Sequence, residues 1–267
     1  MARIYVGTSG YSYADWLGLF YPEGTNKTKF LDYYAAIFNT VEINYTYYTM
    51  PAVQTLRAMA AKVGPDFRFS VKAHKSTTHE RDADEAVFAA FVRAIRPFST
   101  EGKLAAILAQ FPFSFKPSEE SSDWLRLFRD RLPDLPVVVE FRNSAWMAEP
   151  TFALLEELGF GFCCVDEPRQ KGLMPPVARA TSSVAYVRFH GRNEEKWYHH
   201  EQAWERYDYL YTREELSPWV PKVAQLAGKA EVVYAYFNNH YSAQAITNAA
   251  LFREMLTDAS LIPEPDA

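Results

Sequence analysis

Short runs of β-branched and aromatic residues alternate along this chain with longer stretches of helical period, and that alternation limits the fold more than any other feature. Eight such runs are present: Arg3–Gly7, Thr40–Ile43, Arg68–Lys72, Leu104–Gln110, Val137–Phe141, Gly161–Asp166, Ala185–His190 and Glu231–Phe237. Between them lie seven helix-like segments, Lys29–Phe38, Ala52–Val63, Asp84–Ile95, Glu119–Arg131, Thr151–Leu158, Pro218–Ala227 and Ala245–Leu256. Strands such as Ala105-Ala-Ile-Leu108 and Pro136-Val-Val-Val139 are apolar nearly throughout, which suits a parallel sheet covered by helices. Eight strand–helix units favour closure, so the expected fold is α/β: a (β/α)₈ TIM-type barrel forming a single domain over residues 1–267. Two connections depart from the pattern. Pro168, Pro175 and Pro176 interrupt any helix between Glu167 and Ser183, so the link after strand six is expected to be irregular, and Gly191–Leu216 after strand seven makes a long loop. Residues 262–267 read as a frayed tail.

In such a barrel the functional groups stand where the strands end, at the C-terminal rim. Strand two ends in Glu42-Ile-Asn44, strand three in Lys72-Ala-His74, strand four in Gln110 and strand five in Glu140-Phe-Arg142. Strand six ends in Asp166, strand seven in Arg188-Phe-His190 and strand eight in Asn238-Asn239. Residues two apart on a strand share a face, so Glu42 with Asn44, Lys72 with His74, Glu140 with Arg142 and Arg188 with His190 form same-face pairs. Strand one instead leads into Gly7-Thr-Ser-Gly10, whose backbone N–H groups could face an anion. Charges at buried strand ends are costly unless paired, and Lys72, Arg142 and Arg188 balance Glu42, Glu140 and Asp166. A structural ion-pair plug would meet that condition, but polar ends on seven strands are better explained by a binding or catalytic mouth.

Glu42, Glu140, Asp166 and His190 are of metal-ligand type, yet three cations share the same small volume and oppose a divalent ion, so neither a metal nor another cofactor is expected. Ser9 lacks the Gly-x-Ser-x-Gly elbow of a nucleophilic serine. General acid–base chemistry remains, with Glu140 and His190 as the expected proton-transfer pair and Lys72, Arg142 or Arg188 holding a substrate carboxylate or phosphate. The remaining ends, Glu42, Asn44, His74, Gln110, Asp166, Asn238 and Asn239, are expected to bind substrate. The long loop after strand seven carries Trp197, Tyr198, Trp204, Tyr207, Tyr209 and Tyr211, so it reads as an aromatic lid, with Trp197, Tyr207 and Tyr209 as its expected substrate contacts.

A net charge of −5 provides no global attraction for nucleic acid or anionic membranes. Adjacent Cys163 and Cys164, in an apolar run, read as buried reduced thiols. The chain enters a strand at once and has no apolar run long enough to span a bilayer, so a cytoplasmic protein without membrane association is expected. Nothing in the pattern sets an oligomeric state.

Several ordered motifs carry a family resemblance: Gly7-Thr-Ser-Gly-Tyr-Ser-Tyr13, Phe38-Asn-Thr-Val-Glu-Ile-Asn44, Phe69-Ser-Val-Lys-Ala73, Gln110-Phe-Pro112, Val139-Glu-Phe-Arg142, Val187-Arg-Phe-His-Gly191, Arg206-Tyr-Asp-Tyr-Leu-Tyr211 and Tyr236-Phe-Asn-Asn239. From residue 7 to about 255 the chain resembles the YecE-like family, a domain of unknown function. The resemblance implies a TIM-type barrel and names no reaction; the motif residues coincide with the strand ends chosen above. Two departures are Tyr45-Thr-Tyr-Tyr48 and the His240-Tyr241 that follows Asn239. The family fold has been likened to xylose-isomerase-type barrels that use divalent metals, but this chain lacks the several His and acidic ligands such sites need. The expected function is therefore a metal-independent acid–base enzyme acting on a small anionic or polyol substrate. The alternatives are a nucleic-acid or nucleotide binder using the basic and aromatic rim, and a non-catalytic small-molecule sensor.

Overall fold

The computed structural model describes residues 2–202 and 204–263. Its strands are β1 Arg3–Ser9, β2 Thr40–Ile43, β3 Arg68–Lys72, β4 Leu104–Gln110, β5 Val137–Glu140, β6 Gly161–Asp166, β7 Val184–Phe189 and β8 Val232–Phe237. All neighbours pair in parallel, and β8 pairs with β1 to close the barrel. The helices are α1 Phe30–Ile37, α2 Val53–Ala61, α3 Glu85–Thr100, α4 Glu119–Arg131, α5 Glu149–Glu157, the short α6 Arg213–Leu216, α7 Trp219–Ala227 and α8 Gln244–Asp258. As the prolines require, no helix forms between β6 and β7 among the described residues.

Strand alternation builds two cores. Outward residues such as Phe189 and Phe237, stacked at 4.4 Å, meet Trp219 of α7 and Phe252 of α8. Inward positions are rich in tyrosine. Tyr5 stacks on Tyr234 at 5.2 Å, and Tyr186 lies 5.1 Å from Tyr236, whose hydroxyl bonds to Thr40 and Ser70. These rings fill the barrel, and the Tyr186 hydroxyl reaches the charged layer above.

Three expectations are corrected. β1 runs on to Ser9, and the N–H groups proposed to face an anion are occupied: Thr8 donates to the Tyr34 hydroxyl and Gly10 to the Glu42 carbonyl. α3 passes Pro97 and ends at Thr100, because a proline near a helix end forfeits one bond while Phe98 gains a stack on Phe69 at 4.1 Å. Ile262 packs against the core instead of fraying, and residues 264–267 of the expected tail lie outside the described residues. Cys163 and Cys164 are free and buried.

The wedge between β1 and β2 explains one glycine. The Tyr34 hydroxyl accepts from Thr8 N at 2.9 Å and donates to Thr40 O at 3.0 Å. A Cβ on Gly7 would lie 2.2 Å from that carbonyl oxygen, whereas one on Gly64 would meet nothing within 4 Å. In urea denaturation Gly7→Ala is expected to lose about 1–3 kcal/mol or more by overpacking, and Gly64→Ala to be neutral or to gain about 0.4–1 kcal/mol.

Candidate active site

Arg188 stands at the centre of the rim. From β7 it points into the barrel, donating to Glu140 Oε2 at 2.6 Å and to Glu42 Oε1 at 2.7 Å. The Tyr186 hydroxyl, two residues earlier on the same face, donates to Glu42 Oε2 at 2.8 Å. Arg142 places Nε 2.6 Å from Glu140 Oε1 and reaches Glu167 Oε2 with a terminal nitrogen at 3.2 Å. His190 completes the layer. Glu140 can only accept, so His190 Nε2 carries the proton it shares with Oε1 at 3.1 Å, and Nδ1 accepts from the Asn238 amide at 3.1 Å. The sequence-selected residues Glu42, Glu140, Arg142, Arg188, His190 and Asn238 therefore form one buried network.

Two of its members, Glu140 and His190, are held in one protonation state. Burial alone would raise the Glu140 carboxyl, but Arg142 and Arg188 outweigh it and hold it well below the usual carboxylate range. Burial, reinforced by the Arg142 charge, lowers His190 to about 3. The pair expected to exchange a proton thus stays as carboxylate and neutral imidazole throughout the neutral range. Two neighbours behave differently. Burial raises Glu167 to about 7 against the pull of Arg142, and desolvation followed by the Arg188 charge lowers Lys72 to about 7. Lys72 donates to Gln110 Oε1 at 2.8 Å and lies 4.5 Å from the centroid of the Tyr47 ring.

Strand parity corrects two other expectations. Asp166 pairs with outward-facing Phe189, not with Arg188, so it turns away from the mouth towards the helices. There it accepts from Arg192 at 2.7 Å twice, from Tyr211 at 2.9 Å and from Trp219 at 2.8 Å. The inward acid at this strand end is the next residue, Glu167. Asn239 likewise faces outward and donates to Tyr209 O and Asn248 Oδ1, both at 2.8 Å. Tyr209 bonds to Glu215 and anchors the loop, and His74 Nδ1 pairs with Ser76 at 2.8 Å, so neither joins the network through its described bonds. Asn44 keeps a buried side-chain oxygen without a partner among the described residues.

Over the network lies a cleft of about 250 Å³, lined by His79, Gln110, Phe113, Arg142, Trp197, Arg206 and Tyr207, among others. Trp197 and Tyr207 come within 6.5 Å and 6.4 Å of the His190 ring, as an aromatic cover would. His79 follows β3 on a π-helical turn, Ser76–Glu80, and burial with the Lys72 charge lowers it to about 4. Glu167, His79 and Arg206 were not selected from the sequence. Glu167 could have been found by extending the parity of β6 one residue; His79 and Arg206 lie on irregular turns with no periodic signal.

The rim does not suit a divalent metal. Both oxygens of Glu42, Glu140 and Asp166 are engaged by cations or N–H and O–H donors, and among the described residues no group of three or more His, Cys, Asp or Glu could hold an ion. No helix among the described residues is long and apolar enough to cross a membrane.

A closed parallel barrel with its polar cluster at the C-terminal strand ends is a TIM-type barrel. The chain belongs to the family described as Protein of unknown function DUF72, which it matches over residues 5–267. It is similar to UPF0759 protein YunF of Bacillus subtilis, 31% identical over 95% of this chain and 94% of that protein. A DUF72 family crystal structure from Thermotoga maritima superposes with a TM-score of 0.89 at 42% identity, covering 96% of this chain and 99% of the other. A xylose isomerase domain containing protein from Salmonella typhimurium shares the fold alone, with a TM-score of 0.54 at 13% identity over 96% and 97% of the two chains.

Removing Glu140 leaves two buried guanidiniums without their shared counter-charge, so Glu140→Ala is expected to lose about 3–5 kcal/mol in urea denaturation. Glu167 works in the opposite sense. Its folded pKa of about 7 exceeds the ordinary 4.5, so the folded chain binds more protons between those values and stability falls as pH rises through that window. Glu167→Gln is expected to remove that slope, as read from melting temperature against pH, and carbon NMR of the Glu167 carboxyl should show a midpoint near 7.

Proposed function

We propose that the barrel mouth is the active site of an enzyme acting on a small anionic or polyol substrate by metal-independent acid–base chemistry. The observation that carries this reading is the division of labour at the rim. An ion-paired, hydrogen-bonded network of Glu42, Glu140, Arg142, Arg188 and His190 lies behind, and two groups that titrate near neutrality, Glu167 and Lys72, stand at its edge. Each is bonded to a residue of the cleft wall, Glu167 to Arg142 and Lys72 to Gln110. A general acid and base work best when their pKa values lie near the operating pH. In this reading Glu167 in its protonated form donates, and Lys72 as the free amine accepts. Glu140 and His190 become positioning residues: Glu140 orients Arg142, which orients Glu167, and His190 with Asn238 fixes Glu140. Trp197 and Tyr207 exclude water from the cleft.

Nucleic-acid binding is less well supported, because Arg188 is only 1% exposed and the rim arginines are already committed to carboxylates. Thermal-shift screening of small polyols, sugar phosphates and carboxylates is expected to find a compound that raises the melting temperature. Turnover of that compound should give a narrow bell of kcat/KM against pH with both limbs near 7. Glu167→Gln should lower the rate about 10²–10⁴-fold and abolish the alkaline limb, and a Lys72→Met variant the acid limb. Binding without turnover would favour a sensor, and oligonucleotide affinity falling steeply with salt would replace the proposal altogether.

A further inference from the structure

Lys72 is exceptional among the rim cations. Arg142, Arg188 and Arg192 each lie within 2.7 Å of a carboxylate oxygen. Lys72 meets no carboxylate among the described residues, although the charges of Glu140 and Glu42 are close enough to act on it. A lysine needed only to neutralise those acids would sit on one of them. Instead its nitrogen is held between the neutral Gln110 amide oxygen and the face of Tyr47, one hydrogen bond from the cleft wall. Arg206 lines the same cleft, and it too has no carboxylate partner among the described residues. Its Nε donates to Trp197 O at 2.9 Å, and its guanidinium lies 5.5 Å from the Trp197 ring centroid. A guanidinium without a carboxylate partner among the described residues thus lines the cleft, and an amine without one stands directly behind the Gln110 wall of the same cleft.

We infer that Lys72 is a nucleophile that forms an imine with a small carbonyl compound whose anionic group is bound by Arg206. The inference rests on the acid–base reading of the mouth, with the Lys72 free amine attacking carbon where that reading has it take a proton, and adds the substrate class, a keto acid or a phosphorylated ketose or aldose. The lone pair of Lys72 Nζ attacks the carbonyl carbon, a C–N bond forms, and the C=O π pair moves to oxygen. The carbinolamine then expels that oxygen as water built from one amine proton and the Glu167 proton. The iminium so formed returns its remaining N–H proton to the Glu167 carboxylate, so amine plus carbonyl gives imine plus water with no change of oxidation state. Protonated Glu167 is the acid that assists departure of the oxygen. A pKa of about 7 leaves a large share of the Lys72 amine uncharged at neutrality, as attack requires. Iminium formation places a positive charge where burial disfavours it, and Glu140 behind Lys72 supplies the compensating field.

The test is reductive trapping in the full-length protein at neutral pH. Pyruvate, dihydroxyacetone phosphate and uncharged dihydroxyacetone are each incubated with sodium borohydride, and lysines are mapped by peptide mass spectrometry. The expected result is a reduced adduct on Lys72, formed with at least one anionic probe well ahead of exposed lysines such as Lys27 and Lys116, and absent in Lys72→Arg. Arg206→Met should raise the anionic-probe concentration needed for half-labelling about tenfold, and by more than it does for dihydroxyacetone, with Arg206→Lys restoring part of the difference. Labelling of Lys72 no faster than of exposed lysines overturns the inference. Melting temperatures of unreduced samples separate the two readings: a probe that stabilises the protein without labelling Lys72 sinks the imine and leaves the acid–base site. If no probe labels or stabilises the protein, and a wide metabolite screen also finds no ligand, both fall together.

Discussion

One guanidinium organises the rim. Arg188 of β7 holds two carboxylates that reach it from either side around the barrel, Glu42 of β2 and Glu140 of β5, and all three side chains are almost wholly removed from solvent. Charges this deep are tolerated only when each finds a partner of opposite sign with good geometry. The tyrosine-filled interior below offers one further donor, the Tyr186 hydroxyl, and Arg142 and His190 engage the outer oxygen of Glu140. The mouth therefore has a densely bonded floor in which Glu140 stays ionised and His190 neutral over the neutral range.

The same strand ends serve a second purpose on their outer faces. Asp166 gathers Arg192, Tyr211 and Trp219, and Asn239 gathers Tyr209 and Asn248, so the long loop after β7 is tied to the barrel wall at two points. Between those ties the loop is free to carry Trp197, Arg206 and Tyr207 over the inner network. Polar residues adjacent in sequence thus divide by direction: the inward ones build the floor, and the outward ones hold the cover.

The acid–base chemistry proposed for this arrangement depends on contrast. A pocket in which every group was ionised and paired would bind water and little else, and one lined by unpaired charges would not fold. Here Lys72 meets no carboxylate among the described residues, Glu167 has one arginine at 3.2 Å and the Met174 N–H at 2.8 Å, and burial moves the two towards neutrality from opposite sides. Cost is concentrated at the two groups that chemistry would use, and the surrounding network keeps that cost local.

The eight strands, seven of the helices and the polar character of the rim were legible in the sequence, because apolar runs of strand length and helical period depend on local pattern. The four-residue α6, Arg213–Leu216, is too short to show a period and fell within the expected loop. Glu119–Arg131 was read to the residue, and the break at Pro168, Pro175 and Pro176 appeared where expected. The rim residues were legible as a set, since each ends a run. Which way each one faces was not. Asp166 and Glu167 are neighbours of the same charge, and only closure of the barrel, with Val165 in register with Arg188, turns one to the helices and the other to the mouth. Protonation also lay beyond the sequence: Glu140 and His190 are ideal acid–base types, but their depth and their arginine neighbours decide that neither titrates near neutrality. Local pattern determines which residues reach the rim, because it acts through neighbours in the chain; tertiary structure determines their direction and charge, because those depend on groups distant in sequence and on the water that folding removes.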